Sequence, residues 1–306
     1  MRYLLLTLLL VPLGLLAQMP SVHDPVLIKQ DSVYYLFCTG NGISRWSSTD
    51  MVNWKREKPV FDTPPQWAVE AVPGYKGHTW APDISFHNGT YYLFYSVSTF
   101  GKNSSCIGLA TATSLHPGAL FTDHGKVIRS VQGKDNWNAI DPNLIFDKKD
   151  KPWLSFGSFW GGLQLVRLND SLTAPVGPFI NIASRERGNK AIEAPFIFQK
   201  GNYYYLFAST DFCCKGVNST YKMVVGRSRN LQGPYTDKAG VDMKQGGGTL
   251  LLEGDEKWHG VGHNSVYTFD GHDYLFFHGY DANDRGRSKL RIEKLTWNKG
   301  WPEISR

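Results

Sequence analysis

The sequence lacks a long stretch of helical periodicity, and it lacks an apolar run long enough to span a membrane. Its strongly apolar run, from Leu4 to Leu16, is shorter than the ~20 residues that a helix needs to cross a bilayer. Arg2 precedes this run and Ala17 follows it, which is the pattern of a secretory signal. We predict that residues 1–17 are a signal peptide and that the mature protein is periplasmic or extracellular, without a membrane attachment.

Blocks of basic residues are also absent. Lys and Arg number 33 against 27 Asp and Glu, which gives a net charge of +6, and the basic residues are scattered along the chain. Proteins that bind nucleic acids typically concentrate such residues on one face or in one stripe. No nucleic-acid partner is therefore expected.

Cysteine is scarce, with 4 residues in a chain of 306. Cys38, Cys106, Cys213 and Cys214 do not have the paired spacing of a zinc site. After export they would meet an oxidising environment, and the sequence leaves three states open. These are free thiols, a bridge between Cys38 and Cys106, and a bridge between the neighbours Cys213 and Cys214.

The sequence does contain a repeat in five copies. Each copy has a small or acidic residue, then Pro and an apolar run, and after a polar turn an aromatic strand. The position of the Pro is held by Pro25, Pro82, Pro142, Pro195 and, in the last copy, Ser265. The copies are spaced somewhat more widely than the ~40–50 residues of the commonest propeller repeats.

Repeated strands bounded by Gly, Asn and Asp turns, without helices between them, favour a β-propeller. We predict an all-β fold with five blades, in a single domain over residues 18–306. A β-sandwich would not explain the repeat, and the repeats of β-solenoids are shorter. Because a propeller has no long exposed edge that needs a partner, we expect a monomer.

Three acidic residues occupy corresponding places in this repeat. The first strand of each blade lines the central channel, so residues aligned on the Pro should meet at one mouth. The position before the Pro holds Asp24, Ala81, Asp141, Ala194 and Asn264, and the one before that holds His23, Trp80, Ile140, Glu193 and His263. Burying several carboxyl groups together is costly and raises the pKa of at least one of them. The shared position of the three acids favours a functional site. The alternative is that an acid caps the turn before the Pro, which would suit Asp24 and Asp141 individually.

Two carboxyl groups, one protonated and one ionised, can carry out glycoside hydrolysis. Aromatic side chains that stack on the apolar faces of sugars would fit this chemistry. Trp80, Phe100 and Trp160 lie at the aligned positions or just after the aromatic strands. Trp160 is the best candidate because it lies in a turn flanked by Gly.

An ordered set of short motifs resembles glycoside hydrolase family 43, in particular its endo-α-1,5-L-arabinanases. The motifs are the stretches 23–25, 79–83, 96–103, 138–142, 157–162, 191–195, 213–214 and 262–265. The resemblance implies a five-bladed propeller and inversion at the anomeric carbon. It further implies that Asp24 is the general base and that Glu193 is the general acid. An ionised Asp141 would orient this acid and raise its pKa by like-charge repulsion.

The resemblance also implies contacts around the bond that is cut. The residues that would touch the sugar units are Asn138, Phe100, Gly101, Ser158 and Trp160, to which the aligned positions add Trp80. His263 would help to hold one ion, usually calcium, in the channel beneath the acids. The implied function is the exported, endo-acting hydrolysis of α-1,5-linked arabinan in the pectin of plant cell walls.

Three alternatives are kept. The same scaffold could carry an exo-acting α-L-arabinofuranosidase or a β-xylosidase, which would release only monosaccharides. It could also be a propeller that binds sugars without turnover. The third is a retaining hydrolase that acts on sucrose or fructan.

Overall fold

Consecutive segments of the chain form five antiparallel sheets, one after another. The computed structural model describes residues 19–185 and 190–304, so the predicted signal peptide lies outside the described residues. The strands of blade 1 are Val26–Gln30, Val33–Cys38, Ser44–Ser48 and Lys55–Arg56. Those of blade 2 are His78–His87, Thr90–Val97, Ser105–Ala112 and Thr122–Ser130, with the short strand Gly40–Asn41 added at the edge.

The other three blades repeat this order. Blade 3 consists of Asn143–Phe146, Pro152–Phe156, Leu163–Arg167 and Ile180–Ala183. Blade 4 consists of Ile192–Lys200, Tyr203–Thr210, Lys222–Ser228 and Thr249–Leu252. Blade 5 consists of Trp258–Phe269, His272–Asp281, Arg287–Asn298 and Trp301–Ile304.

Helices are short in the described parts of the chain. They are the α-helix Gln66–Ala71 and the 3₁₀ turns Gly216–Asn218, Met243–Gln245 and Ala282–Asp284. Within residues 19–185 and 190–304, none has the length and apolar character needed to span a membrane.

The aromatic strands are buried on both faces. In blade 4, Leu206 packs with Leu165 of blade 3, whereas its neighbours Tyr205 and Phe207 pack with Leu275 of blade 5. Alternate side chains of a strand point to opposite faces, so a strand that is apolar at every position fits between two sheets. Five such apolar clusters separate successive blades, including the last blade from the first. This closed ring confirms the predicted all-β, five-bladed propeller.

A residue with left-handed backbone lies just before the first strand in blades 1 and 3, and at a register shift within the first strand in blades 2, 4 and 5. The five residues have φ values between 41° and 58°, and they are Asp24, Ala81, Asp141, Ala194 and His263. The alignment that placed Asn264 in this set was wrong by one residue. Ser265 pairs with Phe276 as Asp83 pairs with Phe94, so Asn264 takes the place of the Pro that the fifth copy lacks.

Hydrogen bonds from these left-handed residues join the blades around the channel. In three cases the backbone N–H donates to a hydroxyl at the end of the aromatic strand of the preceding blade. The bonds run from Ala81 to Thr39, from Asp141 to Ser96 and from His263 to Ser209, at 2.8, 3.0 and 2.9 Å. The matching residue of blade 3 is Gly157, which has no side chain, and the N–H of Ala194 donates instead to Oδ2 of Asp141 at 3.2 Å. In the absence of that hydroxyl, the Asp141 carboxyl is the acceptor for the N–H of Ala194 and adds one link between blades 3 and 4.

The ring closes without a strand shared between the last and first blades. The N–H of Asp24 donates to Nδ1 of His278 at 3.2 Å, and the Ser265 hydroxyl donates to the carbonyl of Pro25 at 2.9 Å. The N–H of Leu290 donates to the carbonyl of Pro20 at 3.1 Å. Closure therefore rests on apolar packing and on single hydrogen bonds, some of which reach the channel mouth.

A buried acid, Asp83, joins blades 2 and 3 below this mouth. It is only 2% exposed, and its carboxyl accepts the N–H of Leu144 at 2.8 Å and Nδ2 of Asn143 at 3.2 Å. Burial raises the pKa of Asp83 from 3.8 to about 7, in spite of these two donors. The Asp83 carboxyl therefore connects two blades, and its charge changes near neutral pH.

We predict that Asp83 makes the stability of the protein depend on pH. A pKa that is higher in the folded state means that its stabilising contribution is complete below pH 3.8 and is lost as the pH rises through about 7. Relative to Asp83→Asn, the parent should lose up to about 1.4 kcal/mol of unfolding free energy per pH unit in this window. Urea denaturation at several pH values measures this difference, and a difference that does not vary with pH would contradict the prediction.

Candidate active site

Three carboxyl groups lie at one mouth of the channel. Asp24, Asp141 and Glu193 come from blades 1, 3 and 4, and they are 6%, 6% and 9% exposed. The Asp141 carboxyl is close enough to the other two to be repelled by both. The structure therefore brings together the three acids that the repeat singled out, while their catalytic roles stay a prediction.

Asp24 is surrounded by hydrogen-bond donors. Its Oδ1 lies 2.7 Å from Nδ1 of His23 and 3.0 Å from Nδ1 of His263, and its Oδ2 accepts the Thr39 hydroxyl at 2.5 Å. Burial alone would raise the pKa of Asp24, but the two imidazoles outweigh it and hold this pKa well below its usual range. Asp24 is therefore ionised at neutral pH, as a general base must be.

Asp141 has the opposite protonation state. Burial, together with repulsion from Glu193 and Asp24, raises its pKa to about 8, although His263 and the N–H of Ala194 act in the other direction. The carboxyl of Asp141 therefore carries a proton at neutral pH, which corrects the expectation of an ionised Asp141. Neighbouring acids with separated pKa values are a recurring feature of sites that divide acid and base roles among their residues.

Glu193 is held by the turn that follows the aromatic strand of blade 3. The Ser158 hydroxyl donates to Oε2 of Glu193 at 2.6 Å, and the two residues form an isolated β-bridge. The turn depends on Gly157, whose φ is +129° and where a Cβ would lie 2.7 Å from the carbonyl oxygen of Gly162. Ser158 was predicted to touch the sugar, and its observed contact is with the predicted acid.

His263 supplies positive charge between the acids. Burial acts to lower its pKa, but Asp24 above all, and also Asp141 and Glu193, raise it to about 9. The imidazole is therefore protonated at neutral pH and partly balances the three carboxyl groups. The predicted ion would therefore bind beneath the same acids.

The predicted sugar-binding residues divide into exposed and buried ones. Phe100 is 78% exposed and Trp160 is 37% exposed, while Gly101 is exposed in a left-handed turn beside Phe100. These three are available to a ligand. Trp80 is half-buried and donates its indole N–H to Nδ1 of His78 at 2.9 Å.

Asn138 is buried instead, with 3% exposure. Its Oδ1 accepts the Ser105 hydroxyl at 2.6 Å. It thus supports the segment that carries Phe100 and Gly101. Its predicted contact with the sugar stays a prediction.

Sequence reasoning missed His278, Tyr280 and the role of His23. His278 is fully buried, stacks on the His23 ring with a 3.8 Å centroid separation, and has a pKa held well below its usual range chiefly by burial. The signal was present at the end of the aromatic strand, where Thr39, Ser96, Ser209 and His278 occupy one position of the repeat. The expected site followed from the two positions before the Pro alone, and the polar position at the end of the aromatic strand lies outside them.

The structure decides among the three states of the cysteines. Cys213 and Cys214 form a disulfide between neighbours, and Cys38 and Cys106 are free and buried. Burial raises the pKa of the Cys38 thiol to about 12 and that of Cys106 to about 11. The disulfide lies beside the site, with Sγ of Cys214 3.9 Å from Nε2 of His23.

Two groups of potential metal ligands occur in the described parts of the chain. In each, three ligand atoms lie within 4.8 Å of one another, and the groups are His23 with Cys213 and Cys214, and His23 with Asp24 and His278. The first contains disulfide sulfurs, which are not the thiolates that bind metals. His263 belongs to neither group, so any ion there would take most of its ligands from elsewhere.

The arrangement is suited to acid–base chemistry on a neutral ligand. It combines an ionised Asp24, a protonated Asp141 beside Glu193, and exposed aromatic side chains near the mouth. These are the groups needed to activate a water and to protonate a departing oxygen.

Comparisons with known proteins agree with this chemistry. The model of glycosyl hydrolases family 43 matches residues 19–302. An extracellular exo-α-(1→5)-L-arabinofuranosidase from Cellvibrio japonicus is 50% identical over 98% of this chain and 90% of its own length. An extracellular endo-α-(1→5)-L-arabinanase from Bacillus subtilis is 47% identical over 92% of this chain and 87% of its own. The structure of an α-L-arabinanase from Cellvibrio cellulosa in complex with arabinohexaose has a TM-score of 0.92 and 49% identity, covering 94% of this chain and 96% of that one.

Proposed function

The chain belongs to glycosyl hydrolases family 43, and from this premise we propose that it is an exported endo-acting hydrolase of α-1,5-linked arabinan that works by inversion. The observation that carries the proposal is the split protonation of buried acids at one mouth, with Asp24 ionised and Asp141 protonated beside Glu193. The names of the similar proteins support arabinan as the substrate class. Export is supported by the predicted signal at residues 1–17 and by relatives named as extracellular.

The base is oriented by its own hydrogen bonds. A carboxylate offers about four lone-pair sites, and His23, His263 and Thr39 fill three of those on Asp24. One site is left for the water that attacks the anomeric carbon. Its direction is fixed because His23 and Thr39 of blade 1 and His263 of blade 5 occupy the other three.

Glu193 is the proposed general acid, which acts on the leaving group. Glu193 donates its proton to the glycosidic oxygen as the bond to the anomeric carbon breaks, and the water gives its proton to Asp24. Ser158 holds the Glu193 carboxyl in place at 2.6 Å. The protonated Asp141 next to it avoids a second full negative charge beside the departing sugar.

We also propose that one calcium ion binds in the channel at His263. The donor set fits in two respects, because the ionised Asp24 lies beside His263 and the buried amide of the adjacent Asn264 has no hydrogen-bond partner. His263 would release its proton on binding the ion. The ion would supply positive charge beneath the acids, and hard calcium would take the rest of its shell from oxygen atoms and water. Calorimetric titration of the metal-free parent and of His263→Ala tests the proposal, and equal heats from both would contradict it.

Endo action and exo action differ in their products. Debranched arabinan should yield a ladder of short oligosaccharides at early times, with arabinose appearing late. The exo alternative is supported by the 50% identity to a protein named as an exo-arabinofuranosidase, and arabinose alone from the earliest times would establish it. Arabinan bound but not cut would favour the sugar-binding alternative.

A further inference from the structure

The Cys213–Cys214 disulfide lies on the segment between the second and third strands of blade 4. A bridge between neighbouring residues closes a small ring that includes their shared peptide group. This restricts the direction in which the backbone N–H of Cys214 points. Cys214 also has left-handed backbone, with a φ of 68°.

A chain of hydrogen bonds leads from this peptide group to the predicted base. The N–H of Cys214 donates to the Tyr280 hydroxyl at 2.8 Å, and this hydroxyl lies 2.8 Å from Nε2 of His23. Nδ1 of His23 lies 2.7 Å from Oδ1 of Asp24. Three bonds therefore connect an exposed disulfide to a buried carboxylate.

The direction of these bonds follows from the donors. A backbone N–H can only donate, so the Tyr280 oxygen accepts from Cys214. The ionised Asp24 carboxylate can only accept, so Nδ1 of His23, 2.7 Å from Oδ1 of Asp24, carries a proton, and Nε2 of the neutral ring is left as an acceptor. Tyr280 must then give its own proton to Nε2 of His23.

This direction sets the tautomer of His23. If Nε2 accepts from Tyr280, the proton of the neutral ring is on Nδ1, where it is donated to Asp24. Stacking on the buried His278 ring at 3.8 Å limits rotation of the His23 ring. The orientation of the Asp24 carboxylate thus depends on residues from blades 4 and 5.

We propose that Tyr280 and the Cys213–Cys214 disulfide are positioning groups for Asp24, so that breaking the disulfide lowers turnover without loss of substrate binding. The inference rests on the proposed role of Asp24 as general base. Tyr280 is 5% exposed and touches His23 rather than the channel, so it acts through His23. Cys214 is exposed, which makes the bridge accessible to a reductant in solution.

The first test is a double-mutant cycle on arabinan. Tyr280→Phe should lower kcat by about tenfold with KM unchanged, because small misplacements of a catalytic group are costly. His23→Asn retains a donor toward Asp24, but its shorter side chain places no acceptor where Nε2 meets Tyr280, so Tyr280→Phe should have no further effect in that background. Tyr235→Phe is the matched control, because its buried hydroxyl donates to the Leu231 carbonyl at 2.7 Å in another part of the ring.

The second test is reduction of the parent enzyme. A water-soluble phosphine converts the disulfide to two thiols and is itself oxidised to the phosphine oxide, with water supplying the oxygen and the two protons. Cys38 and Cys106 are free, so the chain offers the reductant a single bridge. Reduction should lower kcat of the parent to the level of Tyr280→Phe, should not affect Tyr280→Phe, and should be reversed by reoxidation.

A third readout does not need turnover. Long-range ¹H–¹⁵N spectra of the imidazoles report which nitrogen carries the proton, and His23 should change from the Nδ1–H form to a mixture in Tyr280→Phe and in the reduced parent. A parent that does not cut arabinan would overturn the proposed function, while the spectra would still decide the positioning. Unchanged kcat in Tyr280→Phe, additive effects in the cycle, or unchanged spectra would overturn the inference.

Discussion

Glu193→Gln is expected to lower kcat on arabinan by about 10³-fold with little change in KM, since general acids contribute ~10²–10⁴-fold. The amide has the same shape as the carboxyl group and can keep the 2.6 Å contact with the Ser158 hydroxyl. It cannot donate the proton that a sugar alkoxide needs as it departs. The loss should therefore fall on the chemical step rather than on binding.

A substrate with a better leaving group tests whether Glu193 acts as the general acid. An aryl arabinoside that releases a nitrophenolate needs little protonation, so Glu193→Gln should keep most of the parent rate on that substrate. Glu70→Gln, on the exposed face of the short helix Gln66–Ala71, is the matched control and should change neither rate. Equal losses on both substrates would show that Glu193 is not the acid.

Asp24→Asn is expected to lower kcat by about 10³-fold on the polymer and on the aryl substrate alike. The water must lose its proton whichever group departs, so a better leaving group cannot compensate for the missing base. The amide would also face His23 and His263 with one oxygen in place of two. Asp170→Asn, whose side chain is 78% exposed, is the control for the loss of an acid elsewhere.

The effect of Asp24→Asn can also be measured without substrate, from the titration of His263. Asp24 is the strongest contributor that raises the pKa of His263 to about 9. Without it, the titration of the His263 ring in NMR spectra should move to lower pH. A His263 titration that does not move would contradict the ion pair, and full activity of Asp24→Asn would exclude the role as base.

Much of the fold could be predicted from local patterns. Runs such as Tyr203–Tyr204–Tyr205–Leu206–Phe207, apolar at every position, indicated strands covered on both faces, and the structure has them packed between neighbouring blades. The alignment failed in the fifth blade, where the Pro is absent and the pattern gave no landmark. The left-handed φ of His263 corrects this by one residue.

The site was predictable as a set of residues and only partly as a mechanism. Asp24, Asp141 and Glu193 could be aligned because the repeat places them at related positions. The substitution of Gly157 for a hydroxyl could also be read from the repeat. Its consequence, that Asp141 accepts the N–H of Ala194, required the position of the next blade.

The sequence by itself determined the strands, their number of repeats and the acids at the channel mouth, because side-chain alternation and turn chemistry act over a few residues. Only the tertiary structure decided that Asp24 is ionised while Asp141 is protonated, and that Cys214, Tyr280 and His23 form one chain of hydrogen bonds. A pKa depends on burial and on neighbouring charges. In a propeller those neighbours come from other blades, far away in the sequence, so no local pattern records them.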